Sequence, residues 1–265
     1  MNPAHTQQAH RIRFDWGPTG AEAIGSGTDV AVVVDVLSFT TTVTMAVERG
    51  MEVLPYRWRD SSVGSYAAAR DAVLAVGRRE GLTEGRVSLS PASLVTATGI
   101  ERLVLPSPNG STISALLAGC GATVVAASLR NATAVAAWLG PRVMAGGTVA
   151  LLAAGERWPD GSLRPAVEDL WGAGAVIAAL AARLTGALGP DSEVLGTVSP
   201  EAAAAAAAYA AIRHDIAAYL RASASGRELI DAGFGADVEL AAEADRSLAV
   251  PVLTGEAFRD SASGR

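Results

Sequence analysis

The sequence predicts an α/β protein with three layers, α/β/α, a mixed sheet and internally duplicated halves. Three observations predict this fold: short apolar strands alternate with helical segments, hydroxyl-rich turns join them, and one segment recurs further along the chain. The chain has 265 residues, of which 50% are hydrophobic, so it can bury a large core. We expect a single domain over residues 1–265 that is composed of intertwined halves at about 14–100 and 101–253.

Each element follows from its local pattern of apolar residues and turn residues. A lead-in over residues 1–28 holds a short edge strand at Phe14–Gly17. The other predicted strands lie at about 30–36, 51–56, 103–105, 124–127 and 147–155. The predicted helices lie at about 40–49, 60–78, 111–119, 131–139 and 167–184, and from Pro200 to about 222.

The recurring segment consists of a hydroxyl-rich turn, a helix, a glycine and a strand. SFTTTVTMAVERGMEVL at 38–54 aligns without a gap on NGSTISALLAGCGATVV at 109–125, which places Gly50 on Gly121. The spacing is too long for a solenoid repeat. It indicates two related α/β units that face each other.

Composition excludes several classes of protein. The formal net charge is −6 and the basic residues form no run, so a nucleic-acid partner is not expected. No uninterrupted apolar run reaches 18 residues and the N-terminus lacks an apolar signal segment, so we expect a cytoplasmic protein without a membrane span. Cys120 is the single cysteine, and all 21 basic residues are arginine, which excludes a Schiff-base lysine and a P-loop lysine.

The two matched turns predict a polar cradle at one edge of the sheet. Helix N-termini present free N–H groups and attract anions, and a glycine lets the backbone approach a ligand. Ordinary helix capping is the alternative explanation for each turn taken alone. The candidate substrate-binding residues in these turns are Ser38, Thr40, Thr41, Thr42, Asn109, Gly110, Ser111 and Thr112.

Carboxylates point to a magnesium site. Asp35 ends a buried strand, where open α/β sheets bind ligands. Glu168 and Asp169 lie at a helix start, in a cluster that also contains Glu156. Asp35, Glu168 and Asp169 would supply the hard oxygen ligands that Mg²⁺ prefers. The alternatives are a turn or cap role for Asp35, and the helix dipole for the other two acids.

Other phosphatase chemistries lack their residues. A cysteine phosphatase needs an arginine six positions after the nucleophile, but Ala126 stands there after Cys120. An aspartyl-phosphate mechanism favours an acid two residues after Asp35, where Leu37 stands. We therefore expect Cys120 to be structural and a metal-activated water to attack phosphorus.

Five stretches in preserved order, from about residue 14 to 253, resemble the 2-phosphosulfolactate phosphatase family. They are VVVDVLSFTTTVTMAVERG, SPNGST, SLRNATAVA, AAGERWPDGSLRPAVEDLWGAG, and SASGRELIDAGFGADVELAAEAD with VPVL. In the first stretch Ser38 stands where the family motif has arginine. GRREG and VSLSPASL, at 77–81 and 87–94, keep Arg79 and Ser90 of two further motifs but lack their acids and asparagine.

The resemblance implies a duplicated α/β/α fold and Mg²⁺-dependent hydrolysis of 2-phospho-3-sulfolactate to 3-sulfolactate, a step towards coenzyme M. It brings Arg79, Ser90, Arg157, Arg164 and Arg227 in as substrate-binding candidates, and Asp35, Arg130 and Asn131 as catalytic ones. Surface ion pairs are the alternative role for the arginines. The leading hypothesis is a phosphatase for a small phosphorylated acid, with a homodimer as a compatible assembly. The alternative is a non-catalytic anion-binding protein on the same scaffold.

Overall fold

The computed structural model describes residues 2–57, 62–188 and 197–261. The helices are α1 Gly17–Gly25, α2 Phe39–Glu48, α3 Val63–Ala68, α4 Arg78–Glu84, α5 Gly110–Gly119, α6 Ala132–Met144, α7 Val167–Leu188, α8 Pro200–Ile212, α9 Ile216–Ala222, α10 Ala224–Asp231 and α11 Gly235–Ala242. The strands are β1 Ile12–Trp16, β2 Val30–Val34, β3 Glu52–Tyr56, β4 Val73–Leu74, β5 Arg102–Pro106, β6 Thr123–Ala127, β7 Val149–Ala153, β8 Glu156–Arg157, β9 Leu163–Arg164, β10 Pro251–Thr254 and β11 Ala257–Asp260.

Nine of the described strands form one mixed sheet in the order β1-β7-β2-β6-β10-β11-β3-β5-β4. The strands β1, β7, β2 and β6 are parallel, and so are β3, β5 and β4. The hairpin β10–β11 joins these two groups through antiparallel pairings. The mixed α/β fold is therefore confirmed, and the predicted strand at Phe14–Gly17 is observed as the edge strand β1.

Helices cover both faces of this sheet, which produces the three predicted layers. In β2, Val30, Val32 and Val34 pack in the cluster that α6, α7 and α8 cover. The alternate residues Ala31 and Val33 pack in the cluster beneath α1, α2 and α5. Because successive side chains of a strand point to opposite faces, the continuous apolar run of β2 marks a strand buried on both sides.

The recurring segment forms two matching structural units. The helix α2 at 39–48 corresponds to α5 at 110–119, and β3 at 52–56 corresponds to β6 at 123–127. Gly50 and Gly121, which follow the two helices, both have φ of +82°. The first strand of each unit pairs with the second strand of the other, because β2 pairs with β6 and β5 pairs with β3.

The sheet order is symmetric about the β10–β11 hairpin over these units, with β2-β6 on one side and β3-β5 on the other. Three antiparallel pairings separate β2 from β5, so these two strands run in opposite directions. The prediction that both turns lie at one edge of the sheet is therefore wrong. The turns nevertheless meet, because the first residues of α2 and α5 both donate a backbone N–H to Asp35.

Two predicted helices are shorter than expected. In place of a helix at 60–78, whose first two residues lie outside the described part, the chain forms α3, β4 and the start of α4. Asp71 has a φ of +50°, and the following residues pair with β5. The helix predicted from Pro200 to about 222 is interrupted at Arg213–Asp215, where the Asp215 side chain caps α9 by accepting from Ala218 N.

Among the described helices, α7 has the length and apolar character that a membrane span requires. In this fold α7 packs against α6 and α8 and contributes Val176, Ile177 and Leu180 to the core. Its apolar composition is accounted for by burial within the protein.

Candidate active site

Asp35 lies between the N-termini of α2 and α5. Its Oδ1 accepts a hydrogen bond from Phe39 N at 3.1 Å, and its Oδ2 accepts one from Gly110 N at 3.1 Å. Phe39 and Gly110 occupy the same position in the two repeated units, each being the first residue of its helix. A carboxylate at this junction interacts favourably with two helix N-termini.

Asp35 is only 6% exposed. Burial raises the pKa of Asp35 to about 6, although the two backbone N–H groups and Arg78 favour its ionised form. The two predicted turns are thus joined through one buried carboxyl group.

Asp169, at the start of α7, connects the ends of two neighbouring parallel strands. Its Oδ1 accepts from Val36 N at 2.7 Å and its Oδ2 accepts from Gly155 N at 2.9 Å. Burial raises the pKa of Asp169 well above its usual value, and Asp35 and Glu168 act in the same direction. Both oxygens of Asp169 therefore hold the loops that carry Asp35 and Glu156.

Glu168 differs from its neighbour because its carboxylate has no hydrogen bond or ion pair within the described residues, although it is only 2% exposed. Its charge raises the pKa of Asp35 and of Asp169, so the three carboxylates form one group. A buried carboxylate without a protein donor is a suitable ligand for a cation.

The residues fit Mg²⁺ held by two carboxylates better than the predicted set of three. Asp35 and Glu168 are hard oxygen donors, and Mg²⁺ is commonly held by one or two carboxylates together with substrate phosphate and water. Asp35 and Asp169 each accept two backbone N–H groups, so Glu168 is the acid of the three whose oxygens accept none within the described residues. Residues 2–57, 62–188 and 197–261 contain no group of three or more His, Cys, Asp or Glu side chains that could hold a metal ion.

Glu156 lines an open cavity of about 490 Å³, the Glu156 cavity, together with Asn109, Thr112, Arg57 and Arg157. Its Oε2 accepts from Asn109 Nδ2 at 3.0 Å. Burial, followed by the charge of Asp35, raises the pKa of Glu156 to about 7, while Arg164 lowers it. The hydroxyl of Thr112 is buried and has no hydrogen-bond partner among the described residues. The cavity thus contains a carboxyl group that can exchange a proton near neutral pH.

The hydroxyls of the turns stabilise the turns themselves. Thr40, Thr41 and Thr42 are fully buried and donate to the carbonyl oxygens of Asp35, Val36 and Leu89. Ser111 likewise donates to the Leu105 carbonyl. Because each donor is used within the fold, the expected role in substrate binding is not supported for these four hydroxyls.

Arg130 and Asn131 also serve the fold rather than the site. The Arg130 guanidinium donates to the Leu240 carbonyl at 2.8 Å and pairs with Glu243. The Asn131 side chain accepts from Ser128 N at 2.8 Å and donates to the Ala249 carbonyl at 3.1 Å. Both side chains connect the end of β6 to the C-terminal segment, and these contacts give no support to the predicted catalytic role.

The remaining predicted substrate-binding residues are either exposed without a side-chain partner in the described part of the chain or hydrogen-bonded within the fold. Arg79 and Arg227 are exposed, and their side chains make no hydrogen bond or ion pair within the described residues. Arg157 donates to the Gly161 carbonyl beside the Glu156 cavity, and Arg164 donates to Ser225. Ser90 donates to Asp237 at 2.5 Å.

Arg78 is the arginine of α4 that reaches the site. Its Nη2 donates to Ser38 Oγ at 2.7 Å, and its Nε lies 3.5 Å from Asp237 Oδ2. Sequence reasoning selected the adjacent Arg79, because nothing in GRREG indicates which arginine faces inward.

Comparison with known proteins shows the family to which the chain belongs. The family model described as 2-phosphosulpholactate phosphatase matches residues 20–256. The chain belongs to the 2-phosphosulfolactate phosphatase family. A protein of Thermus thermophilus named probable 2-phosphosulfolactate phosphatase is 33% identical over 231 residues, which cover 86% of this chain and 89% of that protein.

Two further relatives in the 2-phosphosulfolactate phosphatase family carry the same name. The protein of Deinococcus radiodurans is 31% identical over 85% of this chain and 88% of its own length. The protein of Parasynechococcus marenigrum is 34% identical over 77% of this chain and 80% of its own length. The match to the family model includes Asp35, Arg78, Glu156, Glu168 and Asp237.

Proposed function

We propose that this chain is a phosphoric monoester hydrolase that converts 2-phospho-3-sulfolactate into 3-sulfolactate and phosphate with Mg²⁺ as cofactor. Membership of the family supports the activity. The observation that carries the proposal is the convergence of Asp35, Glu156, Glu168 and Asp169 beside Arg78 and Arg164. Four acids with such mutual repulsion need cations around them, and a phosphate ester would bind there only with further positive charge.

Asp35 and Glu168 would hold the Mg²⁺ ion. When bound, Mg²⁺ supplies charge neutralisation for the phosphoryl oxygens and activation of a water. Asp35 is fixed for this task by Phe39 N and Gly110 N, which leave lone pairs of both oxygens available. Asp169 positions the loop of Asp35 through Val36 N.

Glu156 is the proposed proton donor to the leaving group. Water attacks phosphorus, the bond between phosphorus and the ester oxygen breaks, and that oxygen takes a proton from Glu156. The protons of the attacking water remain on the released phosphate, which returns one of them to the Glu156 carboxylate. Because Oε2 accepts from Asn109, the transferable proton resides on Oε1. A pKa near 7 suits this step at neutral pH.

Release of inorganic phosphate tests the proposed activity. Purified protein is assayed with 2-phospho-3-sulfolactate and a panel of other phosphate esters, with Mg²⁺ and with EDTA. We expect Mg²⁺-dependent release that is fastest with phosphorylated small acids. Binding of these anions without hydrolysis of any ester would contradict the proposal and favour a non-catalytic anion-binding protein.

A matched pair of variants tests the role of Glu156. Glu156→Gln should lower kcat by ~100-fold, within the usual contribution of a general acid, and should remove the decline of activity above pH 7. Glu22→Gln changes an exposed carboxylate that lines the same cavity, and it should leave kcat unchanged. Equal kcat values for the two variants would remove Glu156 from the mechanism.

A further inference from the structure

Arg78 is fixed by contacts from two different parts of the chain. Ser38, at the start of α2, accepts from Nη2, and Asp237 in α11 lies opposite Nε. The Arg78 side chain is 23% exposed, whereas that of Asp237 is fully buried. The guanidinium therefore has a defined position before any ligand arrives, which reduces the entropy lost on binding.

Asp237 is itself held so that it orients Arg78. Its Oδ1 accepts from Ser90 Oγ at 2.5 Å and from Ala92 N at 3.2 Å. Its Oδ2 is enclosed, and Arg78 Nε, at 3.5 Å, forms an ion pair with it rather than a hydrogen bond. Asp237 thus orients the Arg78 guanidinium through Nε and does not form a bidentate ion pair with it.

Arg78 lines a cavity of about 380 Å³, here called the Arg78 cavity. Within the described part of the chain its lining residues are Arg57, Gly77, Arg78, Leu89, Pro106, Ser107 and Pro108. Both charged residues in this lining are arginines. The Glu156 cavity, by contrast, includes the carboxylates Glu22 and Glu156, and Arg57 lines both cavities.

A substrate with a reacting phosphate and a separate, unreactive anionic group matches this arrangement. The phosphate belongs beside the carboxylates, where a metal and a proton donor can act on it. A second anion that undergoes no reaction belongs in a cavity whose charged groups are all positive, and guanidinium groups bind tetrahedral oxyanions well.

We propose that the Arg78 cavity binds the sulfonate of the substrate, and that Arg78 is a specificity-determining residue oriented by Asp237. This inference rests on the proposed function for the identity of the ligand. It predicts discrimination between 2-phospho-3-sulfolactate and 2-phospholactate, which has the same phosphate and carboxylate but carries a methyl group in place of the sulfonated carbon.

The test compares Arg78→Gln with Arg79→Gln, whose target is the exposed neighbour in the same helix. For Arg78→Gln, kcat/KM on 2-phospho-3-sulfolactate should fall ~100-fold, mainly through KM, as expected when one charge-assisted contact is lost. On 2-phospholactate the same variant should stay within ~3-fold of wild type. Arg79→Gln should match wild type on both esters. Equal losses on both esters, or no loss on either, would overturn the assignment.

Calorimetric binding of 3-sulfolactate and of lactate separates this inference from the proposed activity. Wild type should bind 3-sulfolactate more tightly than lactate, and Arg78→Gln should abolish that difference. This outcome in a protein that hydrolyses no ester would contradict the phosphatase activity and support the anion subsite. An unchanged preference in Arg78→Gln would overturn the subsite, whatever the hydrolysis result.

Should Arg78→Gln fail to fold, Arg78→Lys is the second variant, with an expected loss of ~10-fold in kcat/KM on the sulfonated ester because lysine lacks the planar fork.

Discussion

The turn after β2 and the turn after β5 have the same backbone plan but different chemistry. Thr40 and Ser111 occupy equivalent positions, and each donates its hydroxyl to a carbonyl at the end of the preceding strand. At the position of Asp35, however, the second unit has Pro106. Asp35 accepts N–H groups from both units, so one carboxylate serves two helix N-termini.

This difference teaches where function resides in a duplicated fold. Positions that match between the units satisfy buried backbone groups and build the turns. The charged residue lies at a position that differs, since Asp35 corresponds to Pro106 in the second unit. The equivalent residues Ser38 and Asn109 also differ, and they contact the charged groups of Arg78 and Glu156. Duplication therefore yields one asymmetric site, to which the second unit contributes the backbone N–H of Gly110 and the side-chain amide of Asn109.

The largest expected effect comes from filling the contact between the two turns. A Cβ at Gly110 would overlap a ring carbon of Phe39 and lie 2.9 Å from Asp35 Oδ2. Gly110→Ala should therefore lower the free energy of unfolding by about 3 kcal/mol, the upper end of the usual cost of overpacking. Chemical denaturation measures this change.

Gly119→Ala is the control in the same helix, because no atom lies within 4 Å of its added Cβ. It should be neutral or stabilising by about 0.5 kcal/mol. Equal stabilities of the two variants would contradict the close junction between the units.

The next effect is a pH dependence of stability that arises from Glu156, the hydrogen-bond partner of Asn109 in the second turn. The pKa of Glu156 in the folded protein, about 7, lies above its ordinary value of 4.5, so the folded protein binds that proton more tightly. The stabilising contribution is complete below pH 4.5 and is lost as the pH rises through 7. At about 1.4 kcal/mol per pKa unit, the metal-free protein should lose up to roughly 3 kcal/mol over this range.

Urea denaturation between pH 4.5 and 8 checks this expectation. The variant Glu156→Gln should reduce the pH dependence without removing it, because the raised pKa values of Asp35 and Asp169 act in the same direction over this range. The pKa of Glu52 is lowered by its hydrogen bond with Arg259, so its contribution to stability changes below this pH range. A stability that rises from pH 5 to pH 8 in the metal-free wild type would contradict the assigned burial of Glu156.

Substitutions of Asp169 and Glu168 should have a smaller effect on stability. Asp169 holds the loop of Asp35 through Val36 N, whereas Glu168 has no hydrogen bond within the described residues. Asp169→Asn leaves a backbone N–H facing an amide NH₂ and should cost about 2 kcal/mol of unfolding free energy. Glu168→Gln removes a buried charge that has no donor among the described residues, so the metal-free protein should keep or gain stability. Glu168→Gln should also lose the Mg²⁺-induced rise in Tm, whereas Asp169→Asn should retain it. The reverse pattern in thermal melts would exchange the two roles.

The smallest effect is expected at Cys120, which lies at the position equivalent to Arg49 at the end of the matching helix. Cys120 is exposed, outside both turns. Cys120→Ser should change kcat/KM by less than a few-fold and stability by less than about 0.5 kcal/mol, as is usual for surface substitutions. A loss of activity of ~100-fold would require a nucleophilic cysteine and a different mechanism.

Sequence reasoning located the repeat, the strands around it and the carboxylates Asp35, Glu168 and Asp169, because periodicity and turn residues are local signals. It failed where tertiary contacts decide. The hydroxyls of Thr40 to Thr42 resemble ligand-binding groups until their carbonyl acceptors are known. Likewise, pairing with β5 outweighs the helix propensity of the segment that becomes β4.

The choice between Arg78 and Arg79 had no local signal either. The direction of each side chain depends on Ser38 and Asp237, which lie 40 residues before and 159 residues after Arg78 in the sequence. Glu156 was visible in the acidic cluster, but its importance arises from burial beside Asp35. Long-range packing of this kind is what a single sequence leaves undetermined.

The central claim is that the carboxylate joining the two units is the centre of a phosphatase site. The most direct test is Mg²⁺-dependent phosphate release from 2-phospho-3-sulfolactate by wild type, Asp35→Asn and the exposed control Glu101→Gln. Asp35→Asn should lose ~100-fold or more in kcat/KM, as expected for loss of a metal ligand. Like Asp169→Asn, it should cost about 2 kcal/mol of unfolding free energy, because one backbone N–H would face the amide NH₂. Glu101→Gln should match wild type. Near wild-type kcat/KM in folded Asp35→Asn would contradict the account.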